Sequence, residues 1–429
     1  MNSKTSLLIL IFVTLVTNIL GQTKNESLNE MIDEAIRVSP KINMLQSKLN
    51  ITSSKIEQDT NLPDPVLTLG LVNMPTNSFS FTQEPMTGKI IGLSQGIPFP
   101  GKLSAASAVI SIDTLIVLEE IVDSKNEIRK NVSTLYYDLS LSREEIKLAN
   151  ENLDLLEQIT EVVKSKYEVS KASLQYVIQV EVQKTRVLDK IETLKSKKHS
   201  SLSELNTLLL RDEKSQIISN EISSIDLNAF SMTTLVNTAS ENRPFLKGIK
   251  LSEQKSMLKE ELANYSNYPN FNLGLQYSQR DNNGLTGIDF SNFLSVVVGI
   301  TLPINYGGKN SAEVNEAKYL QSYNREQYNS SMQVLKQSFG KITAKLKEFK
   351  NREILISETL LPQAEQSLQS ALSDYQVSKV DLVNVINAEN DILKIKIDLV
   401  KIRADYAKNI AELEFLVGAK LRKINSSKL

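Results

Sequence analysis

The chain has 429 residues, with 49 Lys and Arg against 50 Asp and Glu, a net charge of −1, no Cys, no Trp and one His. The even charge speaks against a nucleic-acid partner, which draws a basic excess. The missing cysteines exclude disulfide scaffolds and thiolate metal sites, and His199 alone leaves almost no material for an imidazole metal site or a Ser-His-Asp triad.

Residues 1–21 read as a secretory signal peptide. Lys4 gives a positive start, Leu7 to Leu20 is mostly apolar, and Gly21 is a small residue at a plausible cleavage point. The apolar run is short and interrupted for a membrane anchor. No cysteine follows it, so an N-terminal lipoprotein anchor is not expected, and no later apolar stretch reaches eighteen residues, which speaks against a helical inner-membrane protein.

From residue 22 the predicted elements come twice. A first structural repeat spans 22–212, with an amphipathic helix over roughly 28–60, strands over about 65–74 and 88–97, and a long helical hairpin over 102–212 that breaks near 168–174. Residues 213–231 are polar, Ser-rich and aperiodic, and read as a linker. A second repeat spans 232–420, with a helix over 232–266, strands over about 269–278 and 293–303, and a hairpin over 309–418; residues 421–429 read as a tail. Matching residues fall in the same order at an offset of 204 to 208: Pro40 with Pro244, Leu69-Gly70-Leu71 with Leu273-Gly274-Leu275, and Tyr167-Glu-Val-Ser-Lys171 with Tyr375-Gln-Val-Ser-Lys379. An ordered set of this kind marks an internal duplication.

The strands alternate. Phe271, Leu273, Leu275 and Tyr277 face one way, and Asn272, Gly274, Gln276 and Ser278 the other. Such a face meets another sheet in a sandwich or lipid in a membrane barrel. Four strands cannot close a barrel, and an open edge in lipid leaves backbone groups unsatisfied, so a membrane reading requires several chains to share one barrel. The longest helices, of about sixty-five residues, would extend roughly 100 Å at ~1.5 Å per residue. Leu382, Val385, Ile386, Ile392, Leu399 and Ile402 recur at spacings that suit coiled-coil packing. Pro362 should kink the third long helix or mark a junction in it.

Catalytic chemistry finds little support. The carboxylates sit on charged helical stretches such as Arg143-Glu144-Glu145, Gly307-Gly308-Lys309 lacks the rest of a phosphate loop, and His199 follows two lysines. Met74 and Met86 flank one polar loop without other ligands. No enzyme, cofactor or resident metal is expected.

The signal peptide, the duplicated strand pairs and helical hairpins, and the two Tyr-x-Val-Ser-Lys tips resemble the TolC-type outer membrane factor family. Leu62-Pro-Asp-Pro-Val66, Glu84-Pro-Met-Thr-Gly88 and Gly92-Leu-Ser-Gln-Gly-Ile-Pro-Phe-Pro-Gly-Lys102 look like its heavy-metal efflux branch, typified by CusC and CzcC. The resemblance covers about 26 to 420. It implies a mainly α fold with a membrane β part: a homotrimer forming one twelve-stranded outer-membrane β-barrel above a long periplasmic α-helical barrel. It further implies a passive duct that exports metal ions or small toxic compounds delivered by an inner-membrane pump through a periplasmic adaptor. It also implies site residues. Tyr375 keeps a constriction tyrosine, Val380 stands where an arginine would be, and Asn384 and Asn387 replace two aspartates, which lowers the expected cation selectivity. Ser170, Lys171, Ala172, Ser378, Lys379 and Val380 would form the adaptor-docking tips, with Ser170 and Ser378 standing where the family usually has glycine. A type I protein-secretion duct and a soluble periplasmic coiled-coil scaffold are the alternative functions.

Overall fold

The computed structural model describes residues 27–222, 230–282 and 287–421. The signal-peptide reading at 1–21, most of the tail, and parts of the linker and of the loop after 279 lie outside the described residues. In order, the chain forms α1 (Leu28–Val38), α2 (Pro40–Thr60), β1 (Val66–Val72), β2 (Gly88–Ile97), α3 (Lys102–Glu168), α4 (Leu174–Leu208), α5 (Met232–Asn242), α6 (Pro244–Asn264), β3 (Asn270–Gln279), β4 (Phe293–Thr301), α7 (Lys309–Leu355), α8 (Leu361–Gln376) and α9 (Leu382–Val417). Two compact units result. One gathers Met44–Ile121 and Pro244–Ser331, and the other Met1–Asn43, Val122–Arg243 and Met332–Leu429.

The two thirty-residue helices expected at 28–60 and 232–266 are each a pair. Ser39 and Arg243 are extended, with ψ of 119° and 117°. Each precedes a proline, which disfavours helical backbone in the residue before it and supplies no N–H, so a new helix starts at Pro40 and Pro244. Ser27 opens α1 with a reciprocal capping box to Glu30. Pro362 is accommodated without a break. Ile356–Leu360 forms one π turn, the Leu361 N–H reaches back to the Ile356 carbonyl, and Pro362 falls in the first turn of α8.

The first unit carries the sheet, an antiparallel meander ordered β1-β2-β3-β4. Register places Leu67, Leu93, Leu275 and Val296 in one row, and Leu69, Ile91, Tyr277 and Leu294 in the next. Leu45, Val117 and Ile121 form a small core between helices of the same unit. Lys48 pairs with Glu120 at 2.6 Å and Lys255 with Asp113 at 2.5 Å. Gly101 sits at φ +92°, where a Cβ would lie 2.6 Å from the Tyr265 hydroxyl, so the strand-to-helix turn requires glycine.

The second unit holds two larger cores. Met31, Ile32, Val132, Leu139, Leu205 and Leu209 fill one. Leu156, Val163, Val180, Leu194, Leu382 and Val385 fill the other, where α3 and α4 meet α9. Helix α4 stops four residues earlier than the pattern at 174–212 suggests. Leu210 turns to φ 51°, and the Arg211 N–H closes on the Asn206 carbonyl at 2.9 Å. The segment after it is anchored rather than loose: Ile217 is buried, Asn206 donates to the carbonyls of Glu213 and Ser215, and the Asn220 N–H donates to the Tyr136 hydroxyl.

Arg211 also grips Glu34 through two hydrogen bonds, at 2.9 and 2.5 Å. That bond holds the Glu34 carboxyl below the usual carboxylate range, against a smaller opposing effect of burial. A carboxyl with a lowered folded pKa stabilises the fold above its ordinary pKa, and the contribution is lost as pH falls through the lowered value. Arg211→Met should therefore lower the denaturation midpoint at neutral pH, and the gap to wild type should close on acidification below that range. A gap independent of pH would disprove the linkage.

Candidate functional site

Two features stand out, one in each unit. The first is the sheet. Its other face mixes Thr68, Gly70, Gly92, Ser94, Asn272, Gly274, Ser295 and Gly299 with Val66, Ile90, Phe293 and Val297. Its apolar face is uncovered: Leu69 is 70% exposed and Val296 68%, and Leu67, Leu93, Leu275, Leu294, Val298 and Ile300 are also exposed. Burying such a side chain is worth about 1.5–3 kcal/mol, so a four-strand apolar face left bare is a strong demand for an apolar medium. Strands β1 and β4 are the edges. Strand β1 is shorter than the sequence pattern suggested, because Asn73 turns to φ 56° and bonds across the loop to Met86 and Thr87. Phe99, Tyr265 and Tyr268 cluster at one end of the sheet, with Phe99 stacked on Tyr268 at 4.6 Å. No described helix is long and apolar enough to cross a membrane, which leaves the sheet's own case untouched.

The second feature is the pair of hairpin tips, α3–α4 and α8–α9. Both helix ends close by the same device. The Ser170 N–H bonds the Tyr167 carbonyl and the Lys171 N–H the Lys166 carbonyl, at 2.9 and 2.7 Å. The Ser378 N–H bonds the Tyr375 carbonyl and the Lys379 N–H the Asp374 carbonyl, at 3.0 and 2.8 Å. This is the Schellman closure, which places its turn residue at positive φ. Ser170 and Ser378 both sit at φ 59°. A left-handed L-residue costs roughly 1–2 kcal/mol, less about 0.5–1 for glycine's extra chain entropy. Ser170→Gly should thus raise stability by about 0.5–1 kcal/mol, read as a higher thermal midpoint, whereas an unchanged or lower midpoint would show that the turn carries no strain.

The sequence-derived residues fall in different settings. Ser170, Lys171, Ser378 and Lys379 are exposed, Ala172 is half-buried, and Val380 packs on the core beneath the tips. Asn384 and Asn387 are both exposed on α9. Tyr375 is buried, at 6% exposure, and its hydroxyl has no hydrogen-bond partner among the described residues. Burial raises its pKa.

The groups that tie the two hairpins were not visible as candidates in the sequence. Lys166 Nζ donates to the Tyr375 carbonyl at 2.7 Å and to the Gln376 carbonyl at 3.3 Å, and lies 4.3 Å from the Tyr375 ring centre. A cation here meets the negative end of α8 and the ring face together. The Tyr176 hydroxyl donates to Asp381 at 3.0 Å, and Gln183 to Asn390 at 2.8 Å. Deeper in, Asn152 donates to the buried Glu389 at 2.6 Å, and burial raises the Glu389 pKa against that bond. One signal existed: Glu389 occupies a core position in the spacing that runs from Leu382 through Val385 and Ile386 to Ile392.

The fold is that of the bacterial outer-membrane channels. It matches the outer membrane protein VceC of Vibrio cholerae with a TM-score of 0.75 and 16% identity, over 91% of this chain and 96% of that one. CusC matches with a TM-score of 0.75 and 16% identity over 91% and 92%, and the MtrE channel of Neisseria gonorrhoeae with 0.72 and 15% over 92% and 89%. By sequence, residues 235–419 match the family described as Outer membrane efflux protein. The outer membrane efflux protein BepC of Brucella suis biovar 1 (strain 1330) is 24% identical over 137 residues, which span 32% of this chain and 30% of BepC.

Proposed function

We propose that the protein is the outer-membrane duct of a tripartite efflux system, a homotrimer that passively exports metal ions or small toxic compounds. The observation that carries this reading is the uncovered apolar face of the sheet, backed by a mixed face that holds most of the sheet's glycine and small polar residues. Lipid suits the first face and a water-filled lumen the second. Three copies, joined from β4 of one to β1 of the next, would close twelve strands and leave no edge. The long helices then form a periplasmic tunnel, and the exposed Ser170-Lys171 and Ser378-Lys379 turns present the docking surface for an adaptor connected to an inner-membrane pump. Asn384 and Asn387 give the tunnel mouth a neutral polar lining, with Tyr375 held behind it. The family match and the channel folds support export, while the metal cargo rests on the segment resemblance at Leu62 to Lys102.

The test is membrane fractionation followed by electron microscopy of the detergent-extracted chain. A hollow three-fold particle that resists carbonate extraction is the expected result. A monomer released by salt would overturn the duct and favour the soluble scaffold.

A further inference from the structure

One polar pair joins the two hairpins inside their packed region. Asn152 lies between the buried Ala149 and Leu156 on α3, and Glu389 between the buried Ile386 and Ile392 on α9. They are 3% and 5% exposed, and Asn152 Nδ2 donates to Glu389 Oε1 at 2.6 Å. The other two atoms of the pair, Asn152 Oδ1 and Glu389 Oε2, are buried with no hydrogen-bond partner among the described residues. Buried polar atoms are nearly always paired. An ionised carboxylate leaves these two unmet, because both are then acceptors. A protonated carboxyl meets both. With its proton on Oε2 it donates to the amide oxygen while the amide donates to Oε1, so that one acid and one amide satisfy each other through two bonds.

The surroundings favour the protonated form. Burial penalises the carboxylate and raises the Glu389 pKa, against the Asn152 bond and the Lys396 ammonium, which both favour the charged form. Lys396 of α9, Glu151 of α3 and Glu365 of α8 line a groove beside the pair, with the two glutamates exposed. From α4, Gln183 bonds Asn390, and Arg186 bonds Gln183. A group whose folded pKa is raised contributes stability in full below its ordinary pKa, and that contribution is lost as pH rises through the raised value. The contact between the hairpins therefore weakens as pH rises, the reverse of the Glu34–Arg211 pair.

We propose that Asn152 and Glu389 form a proton-operated latch between the α3–α4 and α8–α9 hairpins, closed by two bonds when Glu389 carries a proton and held by one when it does not. The latch lies within one unit and does not depend on the duct reading. Hydrogen exchange of the full-length protein in detergent, followed across pH and corrected for the intrinsic exchange rate, would test it. Protection of the α3 and α9 amides around Asn152 and Glu389 should fall by about tenfold as Glu389 ionises, the loss of one buried bond with an acceptor left unmet. Glu389→Gln keeps the shape and supplies the second donor without a proton from solvent, so its protection should match the acid form of the wild type and stay flat. Lys396→Met removes a group that favours ionisation and should move the fall to higher pH. Should Glu389→Gln fold poorly, infrared spectroscopy of the wild type carries the test: a protonated-carboxyl band should persist above the ordinary carboxylate range and vanish at the pH where protection falls. Absence of that band above the ordinary range, a flat wild-type exchange profile, or equal pH dependence in the wild type and Glu389→Gln would overturn the latch.

Discussion

Leu275→Arg should remove the protein from the membrane fraction. Leu275 lies on β3, one of the two central strands, in register with Leu93 on one side and Val296 on the other, and its side chain is exposed on the apolar face. In lipid an arginine near mid-depth costs about 2–4 kcal/mol per chain, and a ring of three copies incurs that cost three times. Gln276→Arg, one residue on, points to the other face and should leave extraction behaviour unchanged. The contrast between neighbours is the test, read as the share of protein resisting carbonate. Equal behaviour of the two variants would show that the apolar face does not meet lipid.

Leu382→Ala should loosen the tips. Leu382 opens α9, is fully buried, and belongs to the core shared with Leu156, Val163 and Val180 of the other hairpin. Removing a buried leucine side chain costs about 2–5 kcal/mol, according to how far the cavity collapses. The polar ties nearest the tips, the Lys166, Tyr176 and Gln183 bonds, are partly exposed. Faster proteolytic cleavage near Ser170 and Ser378, with the sheet unaffected, is the expected readout. Cleavage at the wild-type rate would mean that the polar ties alone set the tip structure.

The sequence made the fold readable where one physical period ran undisturbed. Alternation in Leu273, Leu275 and Tyr277 marks a strand because side chains change face at every residue. The long α3 run, free of proline and glycine, could hardly be anything but helix. What was missed is local. The breaks at Pro40 and Pro244 look like ordinary first-turn prolines within a continuing apolar pattern, and the preceding residue's extended conformation decides that two helices form. The tips were legible by position, since the repeated Tyr-x-Val-Ser-Lys stands between two helical patterns. Their ties were not. Lys166 and Tyr375 are 209 residues apart, and no local spacing announces that a lysine at one helix end will reach carbonyls at another. Asn152 and Glu389 were hidden for the same reason, though an acid in a core position was a mark worth heeding.

The open edges of the sheet have a genetic consequence. Among the described residues, strand β1 has β2 on one side and no strand on the other, and β4 has β3 alone. In the proposed ring every chain must accept a neighbour at β1 and offer β4 to another. A copy damaged at β1 alone would still dock through β4 and then block closure. Such an allele should be dominant. Expressed equally with the wild type and mixed at random, it would leave about one ring in eight built wholly from sound copies in a three-fold closed assembly, so loss of export would exceed the loss from deleting one gene copy.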